Sequence, residues 1–145
     1  MNEPVVAELN GDNQYEVVIS DIKGRVLVIS APTGQPLWRK QLKGVKMTDP
    51  AIGHLWPDET LDIAVGGSDG YLYVLDGGSG LLRWRFSVGR AIVIAPTPVT
   101  LSPEPAALDA VLLVDEKGVV HFLKPEAKPD GVSVRELWHL DTHSR

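Results

Sequence analysis

The sequence of 145 residues contains no cysteine. This absence excludes a disulfide framework, thiol catalysis and zinc sites built on cysteine ligands. A surplus of basic residues is also missing, because 14 lysines and arginines stand against 19 acidic residues and leave a net charge of −5. Nucleic acids and anionic membranes attract basic surfaces, so we expect neither as a partner. No run approaches the ~20 apolar residues of a membrane span, and no apolar segment typical of a signal peptide follows Met1.

The sequence does contain a repeat with a period of 46 residues. The repeats begin at Pro4, Pro50 and Pro96, and between the first two the register does not slip. The third repeat carries insertions, which we interpret as loops and which include the Pro-, Lys- and Asp-rich stretch 124–132. Self-similarity of this kind is the signature of a repeat architecture. We therefore predict a single propeller segment over residues 1–145, with its repeats over residues 4–49, 50–95 and 96–145.

Each repeat contains four short runs rich in β-branched and aromatic residues, as in residues 71–75. Turns that contain glycine separate these runs, and no window shows helical periodicity beyond a turn or two. Four short antiparallel strands in every 40–50 residues is the pattern of a β-propeller blade. The sequence therefore predicts an all-β fold with three four-stranded antiparallel blades.

One segment of the repeat resembles a known motif. Residues 29–38, with the sequence Ile-Ser-Ala-Pro-Thr-Gly-Gln-Pro-Leu-Trp, and the matching residues 75–84 are similar to the tryptophan-docking motif of pyrroloquinoline-quinone-like (PQQ-like) propeller repeats. Gly34 and Gly80 permit the left-handed turn between the third and fourth strands of their repeats. The resemblance implies that the tryptophans of this motif lie flat between adjacent blades and donate their N–H to a neighbouring backbone. These structural docking residues are Trp38, Trp84 and Trp138.

A second segment, residues 8–19, resembles the FG-GAP repeat of integrin-like propellers with its acidic loop. Oxygen-bearing groups stand at alternate positions of this loop, which is the arrangement that calcium prefers. The candidate calcium ligands are the side chains of Glu8, Asn10, Asp12 and Glu16 and the carbonyl of Gln14. The alternative interpretation is a β-turn in which polar side chains bind their own backbone. The matching loop of the second repeat has lost two of these oxygen ligands, and we expect no metal there.

Trp56 is the one tryptophan outside the docking position. It lies in the first inter-strand loop of the second repeat, between His54 and Asp58. Two roles are open for it, a contact with a partner or a cover for the blade edge. The sequence contains no phosphate loop, dinucleotide fingerprint or hydrolase motif, so we predict no catalytic residues and no enzyme activity.

Three blades are too few for a ring, because closed propellers have about four to eight. Two chains could associate head to tail into a closed six-bladed ring, since heterologous interfaces close when the rotation allows it. The other outcome is that the chain is a fragment of a longer propeller. We favour the homodimer for the isolated chain.

The propeller fold leaves the function open, because propellers host unrelated activities. We predict a non-catalytic module that binds a protein or carbohydrate partner, with calcium as the one candidate cofactor. The alternatives are a fragment of an enzyme that resembles the PQQ-dependent dehydrogenases, or an excised or engineered blade array without an evolved ligand. Arrays that mix PQQ-like and FG-GAP-like repeats resemble bacterial secreted propellers, which implies a periplasmic or extracellular location.

Overall fold

The computed structural model describes residues 2–43 and 45–142. These residues form three sheets of four antiparallel strands each, and every sheet follows the order of its strands in the chain. The first sheet consists of β1 (Val5–Ala7), β2 (Glu16–Ser20), β3 (Arg25–Ser30) and β4 (Pro36–Gln41). The second consists of β5 (Ala51–Gly53), β6 (Asp62–Gly66), β7 (Tyr71–Asp76) and β8 (Leu82–Ser87). The third consists of β9 (Thr97–Val99), β10 (Ala110–Val114), β11 (Val119–Lys128) and β12 (Gly131–Asp141).

The predicted fold class is confirmed, since the sheets are antiparallel, four-stranded and repeated three times. The described part of the chain contains no helix that could cross a lipid bilayer. The interpretation of residues 124–132 as a loop is wrong. β11 continues to Lys128 and β12 begins at Gly131, so the insertion lengthens a hairpin. Val132 and Val134 pack against the hydrophobic core between the second and third sheets, which explains why this polar stretch pairs as strands.

A one-residue irregularity in the last strand pair of every sheet sets the position of its tryptophan. The register shifts after Val28 in the first sheet, after Val74 in the second and after Phe122 in the third. The residue before each shift lies opposite Trp38, Trp84 or Trp138 respectively. Trp138 therefore keeps the register of the other two tryptophans, although its hairpin is much longer.

Two hydrophobic cores lie between the sheets. In the first core, side chains of the first sheet pack against Ile63, Val65, Tyr73 and Leu75 of the second sheet. In the second core, the opposite face of the second sheet packs against the third sheet. All five residues of β6 are buried, because β6 is covered on both faces.

The outer faces of the first and third sheets remain open. Val17 and Leu27 on the outer face of the first sheet are half-buried, whereas Trp138 and Leu140 on the third sheet are 45% and 59% exposed. Strands alternate their side chains between two faces, so each terminal sheet buries one face and presents the other.

Candidate functional site

The loop between β1 and β2 folds through bonds from its own side chains. The Glu8 carboxylate accepts N–H groups from Asn10 at 3.0 Å and Gly11 at 2.7 Å. The Asn10 side chain accepts the N–H of Asp12, whose carboxylate accepts the N–H of Gln14 at 2.8 Å. These bonds bring the loop into a compact turn that faces solvent.

Glu16 lies below this loop and is 2% exposed. Its carboxylate accepts the N–H of Leu9 at 2.8 Å. Burial raises the pKa of Glu16, although the hydrogen bond from Leu9 lowers it. The charges of Asp12 and Glu8 raise the pKa further. One oxygen each from Glu8, Asp12 and Glu16 lies within 4.8 Å of the others. Three carboxylates at this spacing fit a hard cation such as calcium, and the assignment of calcium stays a prediction.

A second cluster of three carboxylates lies at the matching loop of the second sheet. One oxygen each from Asp58, Asp62 and Asp76 lies within 4.8 Å of the others. The sequence comparison of the two loops missed Asp76, because it lies at the end of β7 rather than in the loop. The guanidinium of Arg83 lies 3.3 Å from the Asp58 carboxylate and 3.6 Å from that of Asp76. The second cluster therefore contains its own cation.

Two of these carboxyl groups have shifted pKa values in opposite directions. Asp62 is fully buried, and burial, with the charges of Asp58 and Asp76, raises its pKa to about 7. One Asp62 oxygen accepts the N–H of Leu55 at 2.9 Å, and the other has no hydrogen-bond partner among the described residues. Burial also favours a higher pKa for Asp76. Hydroxyl groups of Ser79 and Thr60 each donate to its carboxylate at 2.7 Å, however, and these bonds hold its pKa below the usual range.

Trp56 is half-buried rather than fully exposed. The Arg83 guanidinium lies over its ring, 5.0 Å from the centroid, and the ring packs against the second core. Its far edge faces Gly131, where an added Cβ would come to 3.4 Å. Trp56 thus joins the second sheet to the long hairpin of the third, and its contact with a partner stays a prediction.

The tryptophans at the docking position have three different environments. Trp38 donates its indole N–H to the Gly77 carbonyl at 2.9 Å, across the boundary between the first two sheets. Trp84 is 8% exposed and donates its indole N–H to the Leu55 carbonyl at 2.9 Å. Leu55 belongs to the same repeat as Trp84, so the expected bond to a neighbouring blade is wrong for this tryptophan. Trp138 stacks on Phe122, with ring centroids 5.2 Å apart, and has no neighbouring sheet on its outer side within the described chain.

The third sheet contains a partly buried polar network that the sequence did not reveal. His121 is 6% exposed, and its Nε2 lies 2.9 Å from the Asp115 carboxylate. Its Nδ1 lies 2.5 Å from the Glu136 carboxylate. Burial favours a higher pKa for Asp115. Hydrogen bonds from His121 and from the N–H groups of Val119 and Lys117 nevertheless hold its pKa below the usual range. Each of the two ring nitrogens of His121 therefore has a carboxylate partner.

A groove of about 550 Å³ lies between the loops of the second and third sheets. Apolar side chains, Leu61, Pro103, Pro105 and Ala107, form part of its lining. Hydroxyl, imidazole and carboxylate groups line it, among them His54, Asp58, Glu59, Thr100, Ser102 and Glu104. Asp109 also lines the groove, and its carboxylate accepts the N–H of His54 at 2.9 Å. The groove can hydrogen-bond a hydroxyl-rich ligand or attract a cationic one.

Residues 16–105, more than half of the chain, match the family model described as the lambda-carrageenase beta-propeller domain. The structure is similar to that of BamB from Moraxella catarrhalis, with a TM-score of 0.59 and 18% sequence identity. The similarity covers 96% of this chain but only 37% of the BamB chain. No curated protein matches the sequence. The likeness to BamB supports the propeller fold, whereas the PQQ-like and FG-GAP-like assignments of individual segments stay predictions.

Proposed function

This chain belongs to the lambda-carrageenase beta-propeller domain family, and from that premise we propose that it is a non-catalytic propeller module that binds a carbohydrate or protein partner through the loop end of its sheets. The groove between the second and third sheets carries this proposal. A carrageenase acts on a polysaccharide, as its name says, and this favours a carbohydrate over a protein as the ligand.

The chemistry of the groove narrows the class of carbohydrate. Carboxylates and hydroxyl groups bind sugar hydroxyls well. Asp58, Glu59, Glu104 and Asp109 make the groove acidic, and like charges placed together repel. We therefore expect neutral galactose oligosaccharides to bind more tightly than sulfated ones.

The non-catalytic part of the proposal rests on where the perturbed acids lie. Hydrolysis of a glycoside needs an accessible carboxylic acid with a raised pKa. Asp62 has a pKa of about 7, and the pKa of Glu16 is raised as well, but both residues are buried, so no substrate atom can reach either carboxyl group. The alternative is an enzyme that resembles the PQQ-dependent dehydrogenases, and the sequence contains no cofactor-binding motif that supports it.

A binding experiment tests this function. Calorimetric titration with neutral galactan oligosaccharides and with carrageenan oligosaccharides should give saturable binding, stronger for the neutral series. Removal of both Ser102 and Glu104 side chains by substitution with Ala should weaken binding at least about fivefold. Glu116→Ala, an equally exposed carboxylate outside the groove, is the matched control and should bind like the parent.

Two results would contradict the proposal. If none of the oligosaccharides binds, the carbohydrate ligand is wrong. If new reducing ends accumulate when the chain is incubated with carrageenan, the module is catalytic and the non-catalytic assignment is wrong.

The module also has two open sheet faces, on its first and third sheets. Propellers protect their strand edges and faces by closing a ring. We propose that two copies associate head to tail and close a ring of six sheets, because the interface between successive sheets is heterologous.

A further inference from the structure

We propose that the indole of Trp138 in one copy docks on Ala31 and Gly34 of a second copy, and that this contact closes the ring. The inference rests on the self-association proposed above and names the two surfaces that carry it. The chain already makes a contact of this kind between its own first and second sheets.

The template is the contact between Trp38 and the turn that connects β7 and β8. The indole N–H of Trp38 donates to the Gly77 carbonyl at 2.9 Å. Its ring lies directly against Gly80, where an added Cβ would come to 2.4 Å from a ring carbon. Gly80 also has a φ of +79°, a conformation that glycine adopts without a steric cost. This turn is therefore a cradle that fits an indole ring.

The first sheet presents the same cradle in an open state. Ala31 and Gly34 lie 46 residues before Gly77 and Gly80. Gly34 has a φ of +73°, and its N–H donates to Ser30 at 2.8 Å, as the N–H of Gly80 donates to Asp76 at 2.8 Å. A Cβ added at Gly34 would meet nothing within 4 Å.

The third sheet presents the matching indole. Trp138 lies opposite Phe122 immediately before the register shift, as Trp38 lies opposite Val28 in the first sheet. Trp138 is 45% exposed, whereas Trp84, which faces a neighbouring sheet, is 8% exposed. Its stacking on Phe122 at 5.2 Å holds the ring against the sheet. Trp138 is therefore pre-oriented as a docking residue on the open face.

The sheet faces around Trp138 and around the turn with Ala31 and Gly34 also correspond to surfaces that are buried elsewhere in the chain. Ile19 and Leu27 on the open face of the first sheet correspond to Val65 and Tyr73, which are at most 2% exposed against the first sheet. Ile19 and Leu27 line a groove of about 560 Å³ on that face. The two open faces are thus counterparts of surfaces that pack between successive sheets, and the contact of an indole with the turn occurs between the first and second sheets. A second copy supplies both faces, and two copies give six sheets, a number within the range of closed propellers.

Sedimentation equilibrium and light scattering test the inference. We expect a mass twice the 15.8 kDa of the chain, and a blue shift of tryptophan emission as the concentration rises and the Trp138 ring is covered. Trp138→Ala should weaken the dimer at least about tenfold, as truncation of a central aromatic anchor does.

Gly34→Asn tests the other half of the contact without disrupting the turn. Asparagine tolerates a positive φ, so the turn should survive while the side chain fills the cradle. We expect at least a tenfold loss of dimer affinity, on the order of that for Trp138→Ala. Gly89→Asn is the matched control, because Gly89 has a φ of +84° and open space around it and lies outside the proposed interface.

The outcomes separate the docking contact from the assembly. A chain that remains a monomer at every concentration would overturn both the self-association and the docking. A dimer that both Trp138→Ala and Gly34→Asn leave unchanged would overturn the docking contact alone, since another surface would then join the copies. Weakening by both variants but not by Gly89→Asn supports the docking contact.

Discussion

Glu16 and Asp62 occupy the same position of two repeats and bury a carboxylate under the same loop. Each accepts one backbone N–H, from Leu9 at 2.8 Å and from Leu55 at 2.9 Å. The two clusters differ in what balances their charge. Arg83 pairs with the carboxylates around Asp62, whereas within the described residues no ion pair involves Glu8, Asp12 or Glu16. One cluster thus has an internal cation, and the other is the better site for an external one.

The fully buried Asp62 makes stability depend on pH. Its pKa rises from 3.8 to about 7 on folding. Between these values the folded chain keeps a proton that the unfolded chain has lost, so the free energy of unfolding falls as the pH rises from about 4 to about 7. Asp62→Asn removes the charge and keeps an oxygen for the Leu55 N–H. We expect this variant to be more stable than the parent at pH 8 by on the order of 1–3 kcal/mol.

Chemical denaturation at a series of pH values measures this effect. The stability difference between Asp62→Asn and the parent should shrink toward zero as the pH approaches 4. A difference that stays constant over the whole series would show that Asp62 does not titrate in the folded chain.

Calcium should stabilise the chain through the loop of the first sheet. A ligand that binds only the folded state raises the free energy of unfolding by about 2.7 kcal/mol at one hundred times its dissociation constant. Calcium chloride should therefore raise the melting temperature, and Asp12→Asn should abolish the shift. The matched control is Asp58→Asn, which makes the same change at the equivalent position of the second sheet, where Arg83 supplies the positive charge. An equal loss of the shift in both variants would contradict a site at the first loop.

At the scale of the strands, the register shift rather than the turn determines where each docking tryptophan lies. The turns before Trp38 and Trp84 are short, whereas β11 and β12 form a hairpin that extends to Lys128 and Gly131. In all three sheets the tryptophan nevertheless lies opposite the residue before the shift. A bulge re-aims the side chains that follow it, and this is why an insertion in the turn does not displace Trp138.

The close approach of Trp38 to Gly80 should make Gly80 intolerant of any side chain. Gly80→Ala places a Cβ 2.4 Å from the ring, on a residue with a φ of +79°. We expect a loss of about 2–4 kcal/mol in the free energy of unfolding, from overpacking together with backbone strain. Gly89→Ala has the same backbone strain and no contact within 4 Å, and should cost about 1 kcal/mol. Denaturant titration of both variants measures the difference, and equal costs would mean that the indole moves away without loss.

For the whole molecule, burial rises toward the middle sheet. Ile63, Ala64 and Val65 on β6 are fully buried, because one sheet covers each face of β6. The terminal sheets lack this second cover within the described chain, and their apolar faces stay open. The chain spans 37% of the length of the BamB structure that it resembles. Its assembly state therefore decides how much apolar surface leaves water, and hydrophobic stabilisation grows with that area.

The charged side chains are also distributed unevenly over the surface of the molecule. The groove at the loop end collects several carboxylates, whereas Arg25, Arg39 and Lys40 line the groove on the outer face of the first sheet. The groove at the loop end is thus acidic, and the groove on the outer face of the first sheet is basic. The two kinds of surface have separate roles in the function that we propose.

The sequence by itself determined the architecture. A period of 46 residues with strand-like runs and glycine turns predicted three four-stranded sheets, because strand alternation and turn chemistry are local properties. The fold therefore followed from residues close together in the chain. The sequence-based prediction of the fold was wrong for residues 124–132. Their polar composition indicated a loop, but packing of Val132 and Val134 extended a hairpin.

Only the tertiary structure decided which charges meet and which docking surfaces are free. Asp76 and Arg83 join Asp58 across different strands, and His121 meets Asp115 and Glu136 in the same way. Sequence spacing does not encode such distances, because each partner is placed by strand register and by the pairing of separate strands. The open cradle at Gly34 and the exposed ring of Trp138 likewise depend on which sheets have a neighbour. A repeat predicts that its units are alike, and the packing of those units decides where they differ.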